Sequence, residues 1–186
     1  MTAPRLFPSR FVRLAMVLAV LAGFAMLPAP VLAQGALKEK IGDWQFRCDK
    51  MSDRPDEQCI LMQSLVDDQT VVDGQKVEVN LVVVVLKATD PKANNARKPI
   101  LRVIAPLGIL LPRGLGLKVD SEVIGSTGFV RCLANGCVAE VELDDGLIGK
   151  LKAGKEALFV IFLPPDEGRG LPLNLEGFEK GFGLLK

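Results

Sequence analysis

Four cysteines are the residues best equipped for chemistry in this chain of 186 residues, which contains no histidine and no tyrosine. Cys132 and Cys137 lie close together in the stretch RCLANGCVAEV, and the other two are Cys48 and Cys59. Thiols in such pairs can exchange electrons, bind a metal ion or close a disulfide. Which role applies depends on the compartment of the protein and on the elements that hold the four thiols.

Residues 1–33 have the pattern of a secretory signal peptide. The basic stretch RLFPSRFVR precedes the apolar run LAMVLAVLAGFAML, and PAPVLA then ends on small residues, so we expect cleavage after Ala33. A membrane anchor is the alternative, but a spanning helix needs about 20 apolar residues, and Pro28 and Pro30 interrupt this run. The sequence therefore predicts a periplasmic, secreted or cell-surface protein without a transmembrane span after cleavage.

An oxidising compartment favours disulfides, because the number of cysteines is even and all of them follow the cleavage site. We expect the pairs Cys48–Cys59 and Cys132–Cys137, since each brackets a short polar turn between strand-like flanks. A redox pair usually has the spacing C-x-x-C at a helix N-terminus, whereas CLANGC is longer. A zinc site would need protected thiols, and the chain has no histidine to complete a mixed site. No metal or other cofactor is expected.

Apolar and polar residues alternate with a period of two over most of the chain after Gly42, which predicts a mainly β protein. Residues 34–186 are enough for one β-rich domain and too few for two. We therefore expect a single-domain β-sandwich or barrel-like antiparallel sheet with one or two short helices. The strongest strand patterns are DWQFRC, QCILMQSLV, KVEVNLVVVVLKAT, ILRVIAPLG, GLGLKVD, EALFVIFLPP and LPLNLEG.

Three local patterns refine this architecture. Asn135 and Gly136 form a turn signal between strand-like flanks, so GFVRCLANGCVAEVEL predicts a β-hairpin that the second disulfide closes. The stretch DDGLIGKLKAGK predicts a short helix with Asp144 or Asp145 as its N-cap. The C-terminal GFEKGFGLLK places Phe178 in a second short helix that packs on the core.

Catalytic chemistry has little support in the sequence. Serines have no histidine to activate them, and no glycine-rich phosphate-binding loop is present. The acidic pairs Asp67-Asp68 and Asp144-Asp145 occupy turn-like positions, where solvated or helix-capping carboxylates are expected. Loss of residues 1–33, which carry three arginines, lowers the formal net charge from +1 to −2 and argues against a nucleic-acid partner. A hydrolase that uses carboxylates alone is the alternative to a protein without enzymatic activity.

Two features of the sequence are candidates for contact with a partner. Trp44 is the only tryptophan, and it shares a strand face with Phe46, which favours a core position over an exposed stacking platform. The segment APLGILLPRGLGL combines prolines and glycines with Ile109, Leu110 and Leu111. We expect Leu110 or Leu111 to be buried. The alternative is that Ile109, Leu110, Leu111 and Trp44 contact a partner.

Several motifs, in one order along the chain, resemble the invasion-associated locus B family of exported alphaproteobacterial proteins. They are GDWQFRC, CILMQ, PLGILLPRGLGLKVD, FVRCLANGCVAEVEL and LPLNLEGF, and they span nearly the whole chain after the signal segment. The resemblance implies a small secreted or periplasmic β-rich domain in which Trp44 and the four cysteines have a structural role. It implies no catalytic residues.

The residues and the resemblance together predict the type of function. We expect an exported, non-enzymatic protein, periplasmic or surface-associated, that binds a protein or another ligand of the envelope. The alternative is an accessory or structural protein of the envelope that acts through a fixed protein partner. Its contact surface would be the apolar stretch PLGILLP.

The signal pattern generates a first prediction, about processing. Because the small-residue site ends at Ala33, the protein purified from the envelope fraction of its native host should begin at Gln34. N-terminal sequencing of that material measures this directly. Recovery of a chain that still begins at Met1 would contradict the prediction.

Overall fold

The computed structural model describes residues 35–50, 57–68, 71–72, 75–76, 78–89 and 97–185. The predicted signal peptide and its cleavage site after Ala33 lie outside these ranges, and so does most of the acidic loop between Cys48 and Cys59. Residues Gly35–Lys186 form one compact unit. Among the described helices, none is long and apolar enough to cross a membrane.

Seven antiparallel strands form the larger sheet. They are β1 Ala36–Ile41, β2 Trp44–Lys50, β3 Glu57–Asp67, β6 Val79–Thr89, β7 Arg97–Ala105, β10 Phe129–Leu133 and β11 Gly136–Glu142. Their order across the sheet is β1-β2-β3-β6-β7-β11-β10. Between β3 and β6 the chain forms a separate two-stranded hairpin from β4 Val71–Val72 and β5 Gln75–Lys76.

Four antiparallel strands form the second sheet, and two short helices complete the fold. The strands are β8 Leu115–Val119, β9 Glu122–Thr127, β12 Glu156–Leu163 and β13 Glu167–Asn174, in the order β13-β12-β8-β9. The helices are α1 Asp145–Ala153 and α2 Phe178–Leu184, and a single 3-10 turn spans Leu111–Arg113. The mainly β fold predicted from the period of two is confirmed, and the two antiparallel sheets are consistent with a sandwich.

Alternating side chains from both sheets build one hydrophobic core. The buried rows include Val79, Leu81, Val83 and Val85 of β6, and Ala157, Phe159, Ile161 and Leu163 of β12. Successive side chains of a strand point to opposite faces, so each row faces the other sheet. Strand β13 contacts β3, and β9 contacts β11. One edge of the second sheet therefore lies against the β3 part of the larger sheet, and its other edge lies against the β11 part. Each large apolar side chain buried in this way stabilises the fold by about 1.5 to 3 kcal/mol.

Both helices form where the sequence predicts them. The carboxylate of Asp144 accepts a hydrogen bond from the backbone N–H of Leu147 at 2.7 Å, so Asp144 is the N-cap of α1. Helix α2 buries Phe178 and Phe182. The ring of Phe178 lies 5.4 Å from that of Trp44, which attaches α2 to the core through an aromatic pair.

Trp44 joins the two sheets on the side of β2 and β13. Its side chain is fully buried, and its indole Nε1 donates a hydrogen bond to the backbone carbonyl of Asn174 at 3.0 Å. The side-chain Nδ2 of Asn174 donates to Oδ2 of Asp43, the neighbour of Trp44 in the chain, at 2.9 Å. Trp44 therefore occupies the core position that the sequence pattern favours.

Strands β1 and β9 are the two long strands that the sequence patterns do not predict. The sequence of β1, ALKEKI, carries three charged residues, and that of β9, EVIGST, contains a glycine, so both have weak strand preference. Strand β1 pairs with β2, and β9 pairs with β8. Pairing with a more strongly patterned neighbour therefore forms both strands despite their weak local preference.

Each cysteine pair joins directly opposite residues of neighbouring strands. The sulfur atoms of Cys48 and Cys59 are 2.10 Å apart between β2 and β3, and those of Cys132 and Cys137 are 2.01 Å apart between β10 and β11. These are the two pairs predicted from the sequence. The described residues include no free cysteine.

Removing the two bridges separately should lower stability by different amounts. The bridges span sequence separations of 11 and 5, and loop entropy assigns them about 3 and about 2 kcal/mol. The double variant Cys48→Ala/Cys59→Ala should therefore lose more unfolding free energy than Cys132→Ala/Cys137→Ala. Both should stay folded, because a domain of this size has about 5 to 15 kcal/mol of stability.

Chemical denaturation of the two double variants, beside the oxidised wild-type protein, measures these differences. A Cys132→Ala/Cys137→Ala variant that is the less stable of the two would contradict the ranking.

Candidate functional site

An apolar cleft of about 170 Å³ opens between the two sheets, on the side opposite to β2 and β13. Ala139 and Val141 of β11 line it from the larger sheet, and Leu117 of β8 and Phe159 of β12 line it from the second sheet. Leu147 of α1 also contributes to the lining. The cleft therefore lies at the point where the hydrophobic core reaches the open edge of the sandwich.

Strand β9 forms the rim of this cleft. Gly125 and Ser126 are exposed and contribute to the lining, together with the half-buried Ile124. The pairing of β8 with β9 shifts register after Leu117, which is a β-bulge of the kind that redirects side chains at sheet edges. A Cβ atom placed on Gly125 would meet no other atom within 4 Å, so the rim has open space at this residue.

The cleft is suited to binding an apolar group and offers little for catalysis. Thr127 lies opposite Leu115 and places a side-chain hydroxyl on the cleft face of β9, and among the described lining residues none carries a carboxylate, an amine, an imidazole or a thiol. A hydroxyl is a weak nucleophile unless a base lies beside it. The hydroxyl of Thr127 can instead donate and accept hydrogen bonds, which would orient a ligand whose apolar part lies deeper.

The first cysteine pair does not form a metal centre. Ligand atoms of Cys48, Glu57 and Cys59 lie within 4.8 Å of one another. The two sulfur atoms are bonded to each other, however, and the carboxylate of Glu57 lies 3.3 Å from the amine of Lys38. A metal ion at this point would find one carboxylate and no thiolate, which is too few ligands for a stable site.

The four residues that the sequence suggests as possible partner contacts differ in their exposure. Trp44 is fully buried, Ile109 is 8% exposed, Leu110 is half-buried and Leu111 is 44% exposed. Trp44 and Ile109 do not present a contact surface, because neither side chain reaches solvent to any extent. The expectation that Leu110 or Leu111 is the buried residue is corrected, since Ile109 takes that position. Leu111 faces solvent together with Leu107, which is 56% exposed.

Residues 106–114 are held against β12 by specific contacts. The backbone N–H of Leu110 donates to the carbonyl of Phe162 at 2.8 Å. The guanidinium of Arg113 lies 4.4 Å from the centre of the Phe162 ring, and its Nε is 3.2 Å from Oδ1 of Asp166. The backbone of this loop is therefore fixed, and its exposed leucines lie on an ordered surface.

The acidic pairs lie at turns and at a helix start, outside the apolar cleft. Asp144 caps α1, and Asp145 is exposed in the first turn of the same helix. Asp67 is the last residue of β3, and Asp68 is exposed directly after it. Neither pair lines the cleft. Asp144 and Asp145 instead line a separate open cavity of about 520 Å³ at the start of α1, together with Glu142 and Lys98.

The chain matches the model of a family described as invasion associated locus B (IalB) protein, over residues 44–186. The chain belongs to this family. The resemblance carried by GDWQFRC and the later motifs is thereby confirmed. The residues matched by the family model include both cysteine pairs and every residue that lines the apolar cleft.

Individual members of the invasion associated locus B family are distant in sequence. Two invasion protein B homologs, from Brucella abortus strain 2308 and from biovar 1 strain 9-941, are each 27% identical over 143 residues, which covers 76% of this chain and 75% of the relative. The crystal structure of invasion associated protein b from Bartonella henselae matches with a TM-score of 0.59 and 22% identity, over 80% of this chain and 93% of that chain. At this level of identity the structural match shows a common fold.

No sequence motif marks the cleft of this invasion associated locus B protein, because its walls come from separate strands and a helix. Two weak signals were present. Ala139 is a small residue among larger apolar ones in β11, and Gly125 interrupts β9. Both leave space that a larger side chain would fill, but their juxtaposition follows only from the stacking of the two sheets.

The burial of the loop residues gives a third prediction, on stability. Ile109→Ala removes a buried side chain and should lower the unfolding free energy by about 2 to 5 kcal/mol. Leu111→Ala is the matched control in the same loop, and it should change stability by no more than about 0.5 kcal/mol, as exposed substitutions usually do. Chemical denaturation of the two variants measures both values. Equal losses of stability would show that the loop is packed differently.

Proposed function

We propose that the protein is an exported, non-catalytic binding protein of the cell envelope that takes an apolar group of its ligand into the cleft between the sheets. The observation that carries this proposal is the cleft itself, which combines an apolar lining with the hydroxyl of Thr127 at its rim. Membership of the invasion associated locus B family and the two cysteine pairs at disulfide distance are compatible with export. The signal-peptide pattern of residues 1–33 also supports export to the cell envelope.

The volume of the cleft limits the size of the ligand group. An apolar cavity of about 150 Å³ in another protein stays dry and binds benzene, and the present cleft measures about 170 Å³. A linear or cyclic hydrocarbon group of about six carbon atoms therefore fits. The hydroxyl of Thr127 favours a polar atom next to that group, such as an alcohol or carbonyl oxygen.

The absence of catalysis is part of the proposal and rests on the position of the acids. A hydrolase that uses carboxylates alone needs two of them, about 5 to 10 Å apart across one cleft. The carboxylate of Asp144 is engaged as a helix cap, and neither acidic pair lines the apolar cleft. At the apolar cleft, these observations favour binding over hydrolysis.

A second candidate function has one observation in its favour. Leu107 and Leu111 are 56% and 44% exposed on a loop whose backbone is fixed against β12. Exposed apolar side chains on an ordered surface are typical of protein contacts. An envelope accessory protein with a fixed partner would use these leucines and would leave the cleft empty.

Hexan-1-ol is a suitable probe for the binding proposal, because its tail matches the cleft and its hydroxyl can reach the rim. The methyl resonances of Leu117, Ile124 and Val141 should shift on titration in NMR spectra of the wild-type protein. Val141→Phe should abolish the shifts of Leu117 and Ile124 by filling the cleft. Val130→Phe adds the same ring at an exposed position of β10 outside the cleft and should leave them unchanged.

Two results would count against this function. Shifts that follow exposed leucines such as Leu107 and Leu111, with none at Ile124, would show surface binding and would favour the accessory role. Shifts that persist in Val141→Phe would show that hexan-1-ol binds elsewhere. Circular dichroism of both valine variants checks that the fold is retained.

A further inference from the structure

A second cavity, of about 340 Å³, lies on the other side of the sandwich and has a different character. It is formed where the β1–β2 hairpin, β3 and β13 meet, and its lining includes Lys40, Asp43, Gln63, Pro172 and Asn174. It shares no lining residue with the apolar cleft. Any ligand it binds is therefore independent of the function proposed above.

Gln63 is the unusual residue of this cavity. It is 3% exposed, and it is the only polar or charged residue among the buried ones of the described chain. Neither its Nε2 nor its Oε1 has a hydrogen-bond partner among the described residues. Buried polar side chains nearly always have a partner, because an unpaired donor or acceptor loses its hydration without compensation. This carboxamide therefore requires an explanation.

The neighbours of Gln63 within the sheet cannot satisfy its carboxamide. Gln63 lies directly opposite Val83 of β6, and the buried side chains before and after it on the same face of β3 are Leu61 and Leu65. None of these side chains donates or accepts hydrogen bonds. The indole N–H of Trp44 is already bound to the carbonyl of Asn174. The missing partner must come from the cavity that Gln63 lines.

Strand β13 contributes backbone groups to the same cavity. It is an edge strand, and the carbonyl of Asn174 points away from β12, because it accepts from Trp44. Residues two positions apart in a strand direct their backbone groups to the same side, so the carbonyl of Pro172 also points away from β12. Proline has no N–H, and Pro172 therefore presents an acceptor without a donor at this edge.

These groups select for one class of ligand. A carboxylate only accepts and an ammonium only donates, so either would leave half of the Gln63 carboxamide unpaired. A peptide group does both, as a hydroxyl does, and an extended peptide in addition carries a further N–H that can reach an edge-strand carbonyl. The charges of Lys40 and Asp43 at the cavity are opposite, which gives no preference for a charged ligand.

We propose that this cavity is a peptide-binding site, in which Gln63 pairs with a peptide group of an extended segment and the carbonyl of Pro172 accepts one of its N–H groups. The site reads the peptide backbone at the edge of β13. Its selectivity resides in the carboxamide of Gln63, because among the described lining residues this is the buried polar side chain whose donor and acceptor are both unpaired.

The experiment uses the full chain and tri-alanine peptide that is acetylated and amidated at its ends. Isothermal titration and NMR should detect binding to the wild-type protein, with shifts of the Gln63 side-chain NH₂ resonances. Gln63→Met keeps the length of the side chain and should weaken binding by at least about tenfold. Gln58→Met changes a glutamine of the same strand outside the cavity and should leave affinity within about twofold.

Two further measurements separate this site from a structural role for Gln63. Gln63→Met should raise the melting temperature of the free protein, since it replaces an unpaired buried carboxamide with an apolar group. A matched depsipeptide, with an ester in place of the amide between the first and second alanines, should bind more weakly than the peptide because it lacks that N–H.

Several outcomes would overturn the proposal. A lower melting temperature for Gln63→Met would mean that ordered water or protein already satisfies the carboxamide. Equal binding of the peptide by Gln63→Met, or of the depsipeptide by the wild-type protein, would place recognition elsewhere. Absence of binding, with unmoved Gln63 resonances at millimolar peptide, would refute the site even if the methionine variant failed to fold.

Discussion

The hydrogen bond from the indole of Trp44 to the carbonyl of Asn174 fixes where the two sheets meet. It joins β2 of the larger sheet to the end of β13, and the ring of Phe178 packs against the same indole. A buried donor with a single partner cannot move without losing it, so this contact sets the lateral position of the second sheet. Since β13 lies against β3, the opposite edge strand β9 lies against β11, and the cleft opens at that edge.

The two cavities differ because the two sides of the sandwich are closed by different means. On the Trp44 side, the turn of the β1–β2 hairpin meets the end of β13. Turns and strand ends carry polar groups, such as the side chains of Asp43 and Asn174. On the β9 side, the inner faces of regular strands meet, and their alternating residues are apolar. Thr127 contributes a side-chain hydroxyl there because it belongs to the rim strand.

Much of the fold could be predicted from the sequence, because the main strands have strong alternation and both helices have clear start signals such as Asp144. The cysteine pairs followed from their spacing around turns. The cleft and the Gln63 cavity could not be predicted, since each is formed by residues far apart in the chain. Gln63 reads as an ordinary polar residue of β3 until the pairing opposite Val83 shows that it faces the core. The exposure of Leu111 also could not be predicted from the sequence. Ile109 and Leu111 are both large apolar residues, and only the packing of the loop makes one buried and the other exposed.

The short link between the sheets at the rim has a further consequence. Strand β9 ends at Thr127 and β10 begins at Phe129, so Gly128 alone connects an edge of one sheet to an edge of the other. Two consecutive Cα–Cα steps span at most about 7 Å, so covalent geometry limits the separation of the two edges at this point. The width of the cleft opening is therefore limited at this link. Side-chain changes along the rim alter which ligand shapes can enter, whereas a wider opening requires a longer chain between β9 and β10.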